Sequence, residues 1–173
     1  MSTNWYPHTP YDVMYPKLFE NEKQRISKIL VDVIIEHFGS TAVPNLGGKG
    51  YIDIYIVVDK KDLDKTSKII QEKLGYEYKK HASIKNQRLF YLRNADEVRY
   101  HLHLTYINNP DFIKAIKFRD YLINHPDEAL EYEEIKKIAS EKANKELTKE
   151  NAKRVYMDTK VRIIDRILDR LEK

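Results

Sequence analysis

The residues best suited to chemistry lie between Glu36 and Ile54, in the run Glu-His-Phe-Gly-Ser-Thr-Ala-Val-Pro-Asn-Leu-Gly-Gly-Lys-Gly-Tyr-Ile-Asp-Ile. A strand that ends at Gly39-Ser40, a short loop, and a second strand with a central acid, Asp53, is an order suited to a phosphorylated ligand. The amides and hydroxyls of Gly39, Ser40 and Thr41 can hold phosphate oxygens, and a carboxylate on the next strand can hold a divalent cation. Ser40 and Thr41 are equally suited to capping a helical turn through Pro44, so the dipeptide alone decides nothing. His101 and His103 are two residues apart on a later strand and project to one face; in an antiparallel sheet, pairing with the Asp53 strand gathers Asp53, His101 and His103 around one site. Two imidazoles and a carboxylate can bind a metal, clamp a phosphate, or serve as general acid and base near neutral pH; the same histidines can also be structural. Magnesium or manganese ranks ahead of zinc as the cation.

His37, two residues before Gly39, either lines this site or is a satisfied strand-end histidine. Lys49, Arg88, Arg93 and Arg99 are the cations best placed for phosphate contact, Arg99 first because it shares a strand face with both histidines. The stretch from Lys79 to Arg99 has six basic residues against two acidic ones, so it alone accounts for the chain's net charge of +4. With Tyr76, Tyr78, Phe90 and Tyr91 as stacking groups it also offers an RNA-binding reading, the weaker one because the rest of the chain is neutral and these aromatics suit a core.

The elements that must position these residues follow from periodicity. Helical spacing predicts a helix over about 17–29, and β-branched runs predict strands over 31–38 and 51–58. The second strand sends Ile52, Ile54, Ile56 and Val58 to one face and Tyr51, Asp53, Tyr55 and Val57 to the other. A helix over 59–74 closes at Gly75, and strands follow over 76–80, 87–93 and 98–106, the last two joined by the turn Asn94-Ala95-Asp96-Glu97. Pro110 and Pro126 open helices over about 110–124 and 126–145, and Thr148 caps a last one over 149–172. The order predicts one α+β domain over 1–173, with a mixed sheet in about 1–108 and a helical C-terminal lobe in about 109–173.

Composition narrows the alternatives. A chain of 173 residues, 42% apolar and 11% aromatic, can bury a core of its own. The absence of cysteine excludes thiolate metal sites and thiol nucleophiles. No apolar run is long enough for a membrane helix, and the polar start Met1-Ser2-Thr3-Asn4 lacks a signal-peptide core, so a cytoplasmic protein without membrane contact is expected.

Several segments together resemble the GrpB family: Ile35 through Leu46, Lys49, Ile52-Asp53-Ile54, His101-Leu102-His103-Leu104, Phe118-Arg119-Asp120-Tyr121-Leu122 with His125-Pro126, and Tyr156 with Lys160. The match runs from about residue 10 to 170. It implies a nucleotidyltransferase-like fold, a mixed β-sheet flanked by helices, that binds a nucleotide or phosphorylated small molecule between the sheet and the C-terminal helices. Gly39, Ser40, Thr41 and Lys49 would then hold phosphates, with Asp53 and the histidine pair on the metal and Lys160 closing the cleft. Metal-assisted nucleotidyl or phosphoryl transfer is the matching activity. The wider superfamily's strand has a second acid two residues after the first, and here that position is Tyr55, whose phenol is a poor ligand for a hard cation at neutral pH. The alternative is therefore a non-catalytic phosphate-binding module. Family members usually have proline after the lysine, where this chain has Gly50, which implies a looser loop.

Overall fold

Helix α1 (Tyr15–Ser27) has Pro16 in its first turn, where the ring fixes a helical φ and the backbone N–H has no partner to lose. The computed structural model describes residues 4–84, 88–95 and 97–171. Beyond α1 come β1 (Ile34–Phe38), a 3-10 turn (Ser40–Ala42), β2 (Tyr51–Val58), α2 (Leu63–Glu72), β3 (Glu77–Tyr78), β4 (Arg88–Ala95) and β5 (Val98–Tyr106). Three helices complete the α+β fold: α3 (Pro110–Asn124), α4 (Pro126–Ala143) and α5 (Lys149–Leu171). Asn109 caps α3 by accepting from the amides of Asp111 and Phe112, and the Thr148 hydroxyl accepts from Asn151 N at the start of α5.

The elements differ from expectation where the chain turns early. β1 starts at Ile34 and not at Val31, because Asp32 takes a left-handed φ of 55° that ends any strand. The expected helix over 59–74 opens with a 3-10 turn (Lys60–Asp62) and ends at Glu72, and β3 keeps only two residues before the chain enters another such turn. Lys85 of the basic segment, Gln87 of the expected strand and Asp96 of the expected turn lie outside the described residues.

The sheet order is β1-β2-β5-β4-β3. β2 runs antiparallel to β1 but parallel to β5, which corrects the antiparallel pairing expected for the histidine strand: the connection from β2 to β5 crosses over through α2, β3 and β4. In this register Asp53 stands between Phe38 on one side and His101 on the other, and Tyr55 between Glu36 and His103.

The two faces of the sheet have different roles. On one, Ile52, Ile54, Ile56, Leu102 and Leu104 are fully buried and pack with Ile26 of α1 and Ile70 of α2; each such side chain contributes about 1.5–3 kcal/mol by leaving water. Glu22, also on this side and 4% exposed, accepts from Arg25, Arg93 and the Tyr76 hydroxyl. Arg93 is thus bound to a structural carboxylate on the α1 side and cannot serve the Asp53 face. Tyr76 and Tyr91 are buried in the same core, so they are not open to stack on a nucleic acid.

The opposite face looks toward the C-terminal helices. Val43, Leu46, Leu122, Tyr132, Ile163 and Ile167 form a second core there. A third, small cluster of Tyr6, Ala139, Ala143, Ala152 and Tyr156 fixes the N-terminal segment on α4 and α5. Tyr6 N donates to Asn144 Oδ1 at 2.8 Å, and Thr9 exchanges backbone hydrogen bonds with Gly48 at 2.7 and 2.9 Å. Among the described residues, no helix is long and apolar enough to cross a membrane.

Candidate functional site

A cavity of about 810 Å³ lies between the open face of β2 and β5, the Gly39–Lys49 loop, the C-terminal helices and Tyr6. Asp53 and His101 meet on its floor, as their opposed positions in adjacent strands require: His101 Nδ1 lies 3.3 Å from Asp53 Oδ1. The Gly39 turn folds directly over them. Gly39 has a φ of +74°, and a Cβ there would come within 2.5 Å of Asp53 Oδ2, so both backbone and space require glycine. The neighbouring loop is as tight at Gly48, where a Cβ would meet Ser40 Oγ at 2.5 Å and Lys136 Nζ at 3.0 Å. These close approaches bring the serine hydroxyl, the carboxylate and a lysine from α4 to one place.

Three lysines converge on the cavity from three different elements. Lys49 comes from the loop, with Nζ 3.9 Å from the centre of the Tyr6 ring and 5.2 Å from that of Tyr156. Lys160 comes from α5 and lies 4.1 Å from Tyr156, and the two tyrosines stack at 4.4 Å. Lys136 comes from α4, is 4% exposed, and donates to the Gly47 carbonyl. Burial is the first cause that lowers each pKa from 10.5 to about 8. Mutual repulsion adds to it: Lys136 and Lys49 lower Lys160, and Lys49 lowers Lys136. Asp53 opposes the effect at Lys49 and Lys136, and Glu133 does so at Lys136. At pH 7 all three remain mainly protonated, so the cavity concentrates positive charge.

The other expected site residues divide. Gly39, Ser40, Lys49, Asp53 and His101 line the cavity together. Thr41 does not: its hydroxyl is buried beneath the loop and donates to Tyr51 O at 2.9 Å. With that proton used, His37 Nε2 must be the donor in its 3.0 Å contact with Thr41 Oγ1. His37 faces α1, stacked on Phe19 at 4.5 Å, and burial followed by the Arg119 charge lowers its pKa to about 4. His37 and Thr41 are therefore supports under the loop, whereas Glu36 and Phe38 share the Asp53 face. Arg99 stays at the exposed rim, donating to Asn94 Oδ1 and Tyr51 Oη at 3.1 Å. The side chain of Arg88 lies outside the described residues. Arg119 links α3 to β1 through Glu36 Oε2 at 2.7 Å and His37 O at 2.6 Å.

His103 shares the strand face of His101 but does not line the cavity; it sits among Phe38, Tyr55 and Phe90, with centroids 4.9 to 5.3 Å away. Asp53, His101 and His103 are thus not gathered as a donor set, and among the described residues no group of three His, Cys, Asp or Glu is placed to hold a metal ion. Tyr55, where a second carboxylate would stand, is 2% exposed and packs against Phe38 and Phe112. The residues present do not fit the metal expected from the sequence. Gly50 has a φ of +72°, which proline cannot adopt, so the loop here differs in backbone as well as in sequence from one with proline after the lysine.

A family profile described as GrpB protein matches residues 8–170. The chain belongs to the GrpB family. It is 31% identical over 131 residues to UPF0157 protein YqkA of Bacillus subtilis (strain 168), which covers 73% of this chain and 37% of YqkA. It is 30% identical over 152 residues to Glutamate-rich protein GrpB of Alkalihalophilus pseudofirmus, with 83% of this chain and 87% of that protein covered. The chain therefore spans little more than a third of YqkA but most of the second GrpB relative. The crystal structure of conserved protein GrpB from Enterococcus faecalis matches with a TM-score of 0.77 at 26% identity, covering 96% of this chain and all of that one. The mixed sheet with its helical lobe is thus the GrpB architecture.

Lys136 was not foreseen as a site residue. A signal for it was present: Ala129, Tyr132, Lys136, Ala139 and Ala143 recur at helical spacing, so a lysine lies on the stripe α4 buries.

Proposed function

We propose that this protein binds a phosphorylated small molecule, nucleotides included, in the cavity between sheet and helices, with lysines and not a divalent cation neutralising its charge. The convergence of Lys49, Lys136 and Lys160 beside Ser40 and the Gly39 turn supports this reading. Buried cations that repel one another are costly unless an anion completes the site. Of the two functions the sequence leaves open, the geometry favours the binding module, because Tyr55 and His103 are both engaged in aromatic packing.

Titration calorimetry with pyrophosphate and with ATP, each in magnesium and in EDTA, tests it. Binding that survives EDTA and falls at least tenfold in Lys136→Met is expected. Strict metal dependence, or no binding to the wild type, overturns it.

The Asp53–His101 contact favours a second reading, in which the bound phosphate is turned over. With Nδ1 of His101 3.3 Å from the Asp53 carboxylate, the other ring nitrogen, Nε2, is the atom that would accept a proton from an attacking hydroxyl. Phosphate release or transfer from ATP that is lost in both Asp53→Asn and His101→Gln, with binding retained, would establish it; equal turnover in the variants removes it.

A further inference from the structure

The cavity wall is divided. The lysines, Ser40, Asp53 and His101 form one contiguous set, linked through the contacts at Gly39, Gly48, Tyr6 and Tyr156. Asp111, Lys114 and Arg119 of α3 and Lys153 of α5 also reach the wall, and beside them Val43, Leu46, Phe118, Leu122, Ile164 and Leu168 form an apolar stretch of the same space. Most of these belong to the second core, and Val43, Leu46 and Leu122 are only 2% exposed. An anion alone would fill the first part and leave the second as an apolar space against water. A cavity of about 810 Å³ is large enough for an organic group of drug size.

The lining also indicates which organic group. A nucleobase presents ring nitrogens, carbonyls and amino groups that need neutral hydrogen-bonding partners, and unpaired ones are costly when buried. Among the described residues the cavity lining contains no Asn, Gln or Thr; Ser40 stands beside Lys136 at the anion end, and the other neutral polar side chains are tyrosines, whose single hydroxyl cannot pair two adjacent atoms of a base edge as a carboxamide can. The aromatic pair at the anion end is not open to a base: Tyr6 and Tyr156 stack on each other at 4.4 Å, with Lys49 and Lys160 against them. The branched aliphatic stretch of Val43, Leu46, Leu122, Ile164 and Leu168 suits an aliphatic chain.

We infer that the ligand is a phosphate or diphosphate ester of an aliphatic alcohol, its anionic head among Lys49, Lys136 and Lys160 and its chain against Leu122, Ile164 and Leu168. This rests on the phosphorylated-ligand reading above and narrows it to a class.

A calorimetric series separates the two. Wild-type protein is titrated with pyrophosphate, ethyl, butyl, hexyl and octyl phosphate, hexanol and AMP, at one pH and salt concentration. Pyrophosphate binds, affinity rises about fourfold for each methylene added until the apolar part is filled, the heat-capacity change grows more negative along the series, and hexyl phosphate exceeds both hexanol and AMP. If pyrophosphate binds but the alkyl series is flat, or AMP binds more tightly than hexyl or octyl phosphate, the aliphatic class is wrong and the phosphate site stands. If neither pyrophosphate nor any ester binds, the phosphate reading fails and the class with it.

Discussion

Replacing Lys160 with methionine should make the unliganded protein more stable while weakening its hold on anions. Lys160 is 9% exposed, and burial with the charges of Lys136 and Lys49 lowers its pKa from 10.5 to about 8. At about 1.36 kcal/mol per pKa unit, keeping it charged in the fold costs about 3 kcal/mol. Its contact with Tyr156 returns about 0.5–2 kcal/mol of that. Methionine matches the length of the stem and removes the charge, so the net gain is about 2 kcal/mol, or about 4–8 °C in Tm for a chain of this size. The pH dependence gives a second check. Because the folded pKa lies below the unfolded one, the unfolded state holds more protons between pH 8 and 10.5, and the wild type gains stability as pH rises through that window. The gap between Lys160→Met and wild type should thus be full at pH 7 and narrow above pH 8. Scanning calorimetry of both proteins from pH 7 to 10, with a pyrophosphate titration at pH 7, supplies the data. A variant that melts below wild type at pH 7, or a gap that does not change with pH, would falsify the claim that this lysine is held at a cost.

Three further outcomes follow from other parts of the molecule. Gly39→Ala places a Cβ 2.5 Å from Asp53 Oδ2 at a φ of +74°; it should cost about 1–3 kcal/mol in urea unfolding and weaken pyrophosphate binding, and a neutral effect on both would show that the turn does not close over Asp53. Glu22→Gln leaves Arg25 and Arg93 without their carboxylate on the α1 side, so stability should fall by about 3–5 kcal/mol while any variant that still folds binds pyrophosphate as wild type does; loss of binding from a folded variant would contradict the separation of the faces. His37 has a folded pKa of about 4 against an ordinary 6.5, so the unfolded state binds the extra proton between those values and stability drops as pH falls through the window. In His37→Gln, which keeps a donor for Thr41, the stability profile between pH 6.5 and 4 should be flatter by about 2.5 kcal/mol, and a profile parallel to wild type in chemical unfolding refutes the assignment.

Much of this fold was legible in the sequence because local patterns agreed with the tertiary structure. The β-branched, apolar run in 51–58 and the prolines at 16, 110 and 126 state where strands and helices must stand. Asp53 beside Gly39 and Ser40 could be read for the same reason, since one short connection brings them together. What could not be read depends on direction and depth. Whether β5 runs with or against β2 is set by a crossover through α2, β3 and β4, and no spacing within β5 records it. The face taken by His37 follows from which residue ends β1: a one-residue shift of register exchanges the sides of His37 and Phe38. Lys136 is hidden among the many charges of α4, and only the packing of Ala139 and Ala143 against α5 and the N-terminal segment turns its position inward. The three lysines are 87 and 24 residues apart in sequence and meet only when loop, α4 and α5 close on one space. A charge cluster of that kind is a property of the assembled fold. It also opposes folding, since the loss of solvent around each of the three, Lys136 and Lys160 buried and Lys49 half-buried, disfavours its protonated form. Selection for stability alone would favour apolar residues at such positions, so the retained charge argues for a ligand whose binding repays the cost.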